Sequence, residues 1–213
     1  MKKAFLCASF ILTAFIVWTG IILTVDIQNI GPLDSPVGLA AINGGFHKLT
    51  GVHLWLYHIT DWLSIIPLGI VCCFAILGLK QWITRKNLRY VDFDILVLGG
   101  FYVVVILLFI FFEIFVVNYR PVLIENVLEA SYPSSTTMLV MCVIPTAILQ
   151  FQKRINGPAA RRGMHIAMGI YMILMVIGRL ISGVHWLTDI IGGILLSTGL
   201  VTLYIAVCGS KRQ

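Results

Sequence analysis

Six apolar runs set the terms for this chain: Ala4–Val25, Trp62–Ile83, Ile95–Val117, Pro133–Phe151, Met164–Ile181 and Ile190–Cys208. At 1.5 Å per residue, helices of these lengths cross roughly 30 Å of hydrocarbon. Hydrophobic residues make up 59% of the sequence and charged ones 11%, with a mean hydropathy of +0.98, which excludes a soluble globular domain. The expected fold class is all-α: a polytopic membrane protein with six transmembrane helices in a single domain, 1–213. The first run follows Lys2-Lys3 and invites a signal-peptide reading. It is too long for a typical signal core and lacks a clear small-residue cleavage site, so a retained first helix is expected.

Six spans put both termini on one side, and the cations then sort. Lys2, Lys3, Lys80, Arg85, Lys86, Arg89, Lys153, Arg154, Arg161, Arg162, Lys211 and Arg212 fall on the terminal side, and only Lys48, Arg120 and Arg179 opposite. The positive-inside rule makes the terminal side cytoplasmic, in a multi-pass protein of the cell (cytoplasmic) membrane. The net charge of +6 therefore reflects topology and anionic membrane lipids as partners, not nucleic acid.

The longest polar connection, Asp26–Asp61, is punctuated by Gly31-Pro32, Ser35-Pro36 and Gly44-Gly45. Its histidines, His47, His53 and His58, lack a tight ligand pair, so a short amphipathic interfacial helix is expected there rather than a metal site. All five cysteines lie inside apolar runs, as small packing residues. No metal and no cofactor are expected.

Ionisable groups at membrane depth are costly and mark function by default. Between the last two runs, Gly178–Asp189 holds Arg179, His185 and Asp189. His185 and Asp189 are four apart, which on a helix shares one face and lets the carboxylate orient the ring. A break at Ser182-Gly183 would bring Arg179 round to them. The competing reading is a short loop whose Asp caps the next helix and whose Trp186 sits at the lipid interface. Arg120, Glu113 and Ser134–Thr136 belong to the same outer face. Two guanidiniums, hydroxyls and a helix N-terminus suit a phosphate group. The stretch Val122–Tyr132 places Glu125 and Glu129 on one possible helical face.

These clusters resemble the type-2 phosphatidic acid phosphatase superfamily, whose three blocks are Lys-x6-Arg-Pro, Pro-Ser-Gly-His and Ser-Arg-x5-His-x3-Asp. Gly178–Asp189 resembles the third block, Arg120-Pro121 the end of the first and Pro133-Ser134 the start of the second. The resemblance implies a phosphatase-like helical bundle in which His185 attacks phosphorus to form a phosphohistidine and Asp189 orients it. It further implies that Arg120, Arg179 and Ser134, with Ser135, hold the phosphoryl oxygens.

The sequence departs from the pattern at three places. Glu113 replaces the first-block Lys, Ser135-Thr136 replaces Gly-His, and Gly178 replaces Ser. Thr136 stands where the family carries its proton donor, and a hydroxyl is too weak an acid for that role near neutral pH. Glu113 is the other candidate donor if it holds its proton at the bilayer edge. Paired with an arginine, it would instead weaken phosphate binding. An alkoxide leaving group needs its proton, and losing general-acid help costs about 10²–10⁴-fold, whereas a leaving phosphate is far less basic. The expected function is thus a phosphatase of lipid diphosphates, polyprenyl diphosphate or similar, acting at the extracytoplasmic face on a phosphorylated lipid substrate. The alternative is a catalytically silent protein of this fold that binds or transports a phosphorylated lipid. The sequence leaves the oligomeric state open.

Overall fold

A computed structural model describes residues 2–210; Lys211 and Arg212 of the charge pattern lie outside them. The described residues form eight helices and two short 3₁₀ turns: α1 Lys2–Thr24, α2 Ala40–Thr50, α3 Leu54–Leu63, α4 Ile65–Arg85, α5 Phe93–Ile114, α6 Ser135–Gln152, α7 Pro158–Ile181 and α8 Leu187–Ser210, with the 3₁₀ turns at Pro32–Asp34 and Leu88–Tyr90. Among the described residues, six stretches are long and apolar enough to cross a membrane, α3 and α4 running on as one. The fold is an all-helical, multi-pass membrane bundle.

Several boundaries differ from those read in the sequence. The second span begins at Leu54 rather than Trp62. Tyr57, Thr60 and Asp61 break the hydropathy but are helical, and all three turn to Arg179. The fifth span begins at Pro158 rather than Met164, because Pro supplies a helix start and Arg161 and Arg162 reach out to the polar end. The fourth begins at Ser135, with Ser134 as its N-cap and Pro133 outside it. The third stops at Ile114, after which the chain is irregular.

The helical face proposed for Val122–Tyr132 does not form. Glu125 and Asn126 have φ of 51° and 63°, and Ile124 and Val127 exchange two backbone hydrogen bonds around them. Consecutive left-handed residues make a tight reversal, not a helix. The bridge Tyr119–Ala130 closes the same loop.

α6 and α8 form the centre: 56% of the most apolar window of each is buried, against 11–28% for the other spans, whose outer faces meet lipid. Small residues on α8 permit close packing. A Cβ at Gly192 would stand 2.4 Å from the Tyr132 ring. Tyr132 stacks with Phe15 of α1 and meets Phe112 of α5 edge-on, and its hydroxyl pairs with Thr19 at 2.7 Å.

At one end of the bundle, α2 is locked over the start of α8. Asn43 is fully buried. Its amide donates to Gly38 O (2.8 Å) and Thr188 Oγ1 (2.9 Å), and its Oδ1 accepts the Thr188 N–H at 3.2 Å. Removing it orphans one of the first donors of α8, a loss of about 1–3 kcal/mol. Asn43→Ala should therefore lower the melting temperature of the detergent-solubilised protein by several degrees, measurable by thermal unfolding.

Candidate active site

α7 ends at Ile181 and α8 begins at Leu187, so the expected break is present. Gly183 has φ +70°, and a Cβ there would lie 2.1 Å from Gly51 O, so the turn demands glycine twice over. His185 lies in this turn, not on the helix with Asp189 as the four-residue spacing suggested. Its Nδ1 is 3.9 Å from Asp189 Oδ2, too far for a hydrogen bond. Ser131 stands between them: its Oγ is 3.0 Å from His185 Nδ1 and donates to Asp189 Oδ2 at 2.5 Å. Direct orientation of the ring by Asp189 is therefore replaced by a bridged contact.

Asp189 also accepts the Trp186 N–H (2.9 Å) and the Asn118 amide (3.3 Å). It caps α8 and faces the histidine at once, so the capping role weighed for this residue holds as well. The Trp186 indole, by contrast, is 3% exposed and donates to Tyr119 O, which places it inside the protein. Burial is the largest influence on the His185 ring and pushes it down to about 4; the Asp189 carboxylate opposes this and the Arg120 charge adds to it. His185 Nε2 is buried and has no hydrogen-bond partner among the described residues.

Arg179 is 2% exposed and largely committed to the protein. Nη2 donates to Thr136 Oγ1 (2.6 Å) and Asp61 Oδ1 (3.2 Å), Nη1 contacts Tyr57 O and Thr60 Oγ1 (3.4 Å each), and the guanidinium lies over the Tyr57 ring. Arg120 keeps more of its donors open. Its Nε is 3.1 Å from Glu129 Oε2, an ion pair without hydrogen-bond alignment, and Nη1 is buried and unpartnered among the described residues. The two arginines thus pair with Asp61 and Glu129 rather than with Glu113. Asp61, Tyr57 and Ser131 carried no site signal in the sequence, and Glu129 stood there only on a possible helical face. Ser131's only clue was its place just before the second cluster.

Both arginines line a cleft of about 330 Å³ with Asp61, Ser64, Ser135 and Thr136. His185 lines a narrower slot of about 10 Å³ with Glu113 and Ser131, and Ser135, Phe109 and Met138 border both spaces. Ser134 is fully buried and faces its own helix, its Oγ accepting the Thr137 N–H at a long 3.5 Å; the cleft-facing hydroxyl is Ser135. Ile106 joins the cleft to an apolar groove of about 360 Å³ between α4 and α5.

Residues 100–212, more than half of the chain, match the PAP2 superfamily. The chain belongs to that superfamily. Its fold is similar to a solved structure from Bacillus subtilis, described as the first transmembrane PAP2 type phosphatidylglycerolphosphate phosphatase. The two share 18% identity over 95% of this chain and 96% of that one, with a TM-score of 0.63. No curated protein sequence matches. For a PAP2 chain, the departure at Thr136 now has a partner: its hydroxyl holds Arg179 in place.

Two outcomes follow from this geometry. Arg179→Ala should destabilise the fold by about 1–3 kcal/mol, since it takes the shared donor from four partners on α3 and α6. Arg120→Ala should leave the melting temperature nearly unchanged while abolishing binding of a lipid phosphate, read by titration calorimetry. Any reaction in which His185 attacks should keep its acidic limb near pH 4 rather than near the ordinary 6.5. The sign for stability is the same: the unfolded ring takes its proton first, so stability falls as pH drops from about 6.5 towards 4. A pH–rate profile and acid melts check both.

Proposed function

We propose that this PAP2 protein is a membrane phosphatase of lipid diphosphates, polyprenyl diphosphate or similar, working through a phosphohistidine at the extracytoplasmic face of the cytoplasmic membrane. The observation that carries the reading is His185: a buried ring tied through Nδ1 to Ser131, with Nε2 unpartnered, in a slot that shares Ser135 with the cleft of the two arginines. The orientation rests on the cation pattern. Lys2, Lys3, Lys80, Arg85, Lys153, Arg154, Arg161 and Arg162 lie towards the end of the bundle away from the site.

In this mechanism Nε2 attacks the terminal phosphorus and the bond to the bridging oxygen breaks. The lipid monophosphate leaves with that electron pair, and water then cleaves the phosphohistidine to inorganic phosphate. Arg120, with open donors, is the first holder of the phosphoryl oxygens, and Ser135 the second. The lipid tail follows Ile106 into the α4–α5 groove. The leaving phosphate needs little protonation, which suits a chain with Thr136 in the acid's place. Glu113, exposed and bordering the slot, supplies what proton is required. Seating the phosphoryl group requires the slot to widen, for which Ser135 and Glu113 have room to move.

A second reading, a silent binder or carrier of a phosphorylated lipid, is favoured by Thr136, which stands in the proton donor's place and instead holds Arg179 at 2.6 Å. Purified protein offered a polyprenyl diphosphate and a phosphatidic acid should release phosphate from the diphosphate, and His185→Ala should abolish it. Absence of turnover on either lipid, or unchanged activity in His185→Ala, overturns the phosphatase reading. Saturable binding that needs Arg120 and leaves the lipid intact would establish the carrier instead. Combined Glu113→Lys, Ser135→Gly and Thr136→His should raise monoester turnover by about 10²–10⁴-fold with little gain on diphosphates.

A further inference from the structure

We propose that Ser131 is a positioning residue that fixes the tautomer of His185, holding the ring proton on Nδ1 and leaving Nε2 with its lone pair. The reading rests on the proposed attack by His185, but the tautomer can be measured without it.

Ser131 is 3% exposed, and its backbone is set by the Ser131 N–H bond to Asn118 O at 2.9 Å. Its hydroxyl has one hydrogen and two acceptor lone pairs. That hydrogen must go either to Asp189 or to His185, and the surroundings of Asp189 decide which. Oδ2 already accepts the Trp186 N–H at 2.9 Å and Oδ1 faces the Asn118 amide at 3.3 Å. Both neighbours are donors, so the carboxylate is held as an acceptor on each side. Ser131 Oγ, the closest group of all to Oδ2, must therefore donate to it, because two bare oxygens would repel at that separation.

With its hydrogen spent on Asp189, Ser131 offers only a lone pair to His185 Nδ1 at 3.0 Å. A hydrogen bond there requires Nδ1 to carry the proton. In a neutral imidazole the other nitrogen is then unprotonated. That nitrogen, Nε2, is the one without a partner in the narrow slot. Asp189 cannot make this choice directly at 3.9 Å. The carboxylate polarises Ser131, and Ser131 presents the acceptor. The serine lies outside all three family blocks, one residue beyond the loop that Tyr119 and Ala130 close, so its role comes from the loop's path and not from motif spacing.

The test is histidine ring ¹⁵N spectroscopy on the full-length protein in detergent, with the His185 signals assigned by their loss in His185→Asn. Wild type should show the proton on Nδ1. Ser131→Ala should shift His185 to the Nε2-protonated form or a mixture, and Ser131→Thr, which keeps the hydroxyl, should restore the wild-type pattern. If turnover of a polyprenyl diphosphate is detected, Ser131→Ala should lower kcat at least about tenfold with KM little changed. A wrong tautomer costs as much as about 10⁴-fold in a Ser-His-Asp triad. A proton on Nε2 in wild type overturns the proposal, as does an unchanged tautomer in a folded Ser131→Ala. If Ser131→Ala does not fold, the wild-type spectrum and Ser131→Thr decide. Absence of turnover with the expected spectra would remove the phosphatase reading and leave the role of Ser131 standing.

Discussion

The carboxylate of Asp189 holds the functional end of the bundle together. It caps α8 through the Trp186 N–H, binds the Asn118 amide and receives the Ser131 hydroxyl, while its backbone carbonyl accepts the N–H of Ser134, the cap of α6. One residue thus fixes the start of the two most buried helices and the loop that returns from α5. A buried acceptor of this kind is affordable only when fully hydrogen-bonded, and breaking any part exposes the rest to a desolvation penalty. The position of His185 depends on this knot, because its turn is held between Gly183 on one side and Trp186 on the other.

Sequence made the spans and their order legible because burial in lipid leaves a long apolar signature that needs no tertiary knowledge. It also made the turn legible: Ser182-Gly183 interrupts an apolar run beside three ionisable groups, and Gly183 takes the left-handed conformation the interruption requires. The helix–face argument for His185 and Asp189 failed for a related reason. The helix starts two residues after His185, and spacing carries no information about where a helix begins when the cap is the very residue in question. Ser131 was invisible because a single serine in an irregular loop has no period, and its contact depends on the Glu125-Asn126 reversal bringing the strand back. Asp61 and Tyr57 were read as the end of a loop, since polar residues that serve a buried arginine look from sequence like residues that serve water.

The arginines show how the same residue type takes different work from its surroundings. Arg179 joins α3, α6 and α7, and four of its five N–H groups point at protein oxygens. Its Asp61 partner is more than half exposed, so that ion pair is weak and exchangeable at the cleft. Arg120 carries a looser contact and an unpartnered nitrogen. A phosphate group of the proposed substrate would meet little competition at Arg120, and at Arg179 would have to displace Asp61. On the proposed reading the cleft is graded: Arg120 would recruit, while Arg179 mainly shapes.

That grading bears on the missing acid. Thr136 occupies the acid's place, where a neutral hydroxyl is far too weak an acid, and its oxygen accepts from Arg179 at 2.6 Å. The loss is therefore coupled to the binding of Arg179, and substituting Thr136 alone would disturb the cradle along with the chemistry. On the proposed phosphatase reading, such a site would favour leaving groups that depart with little protonation. The alkoxide that leaves a phosphate monoester is strongly basic, and the phosphate that leaves a diphosphate is far less so. On that reading Thr136 would narrow what the chain cleaves, and substrate choice would follow from the leaving group before any contact with the lipid tail is considered.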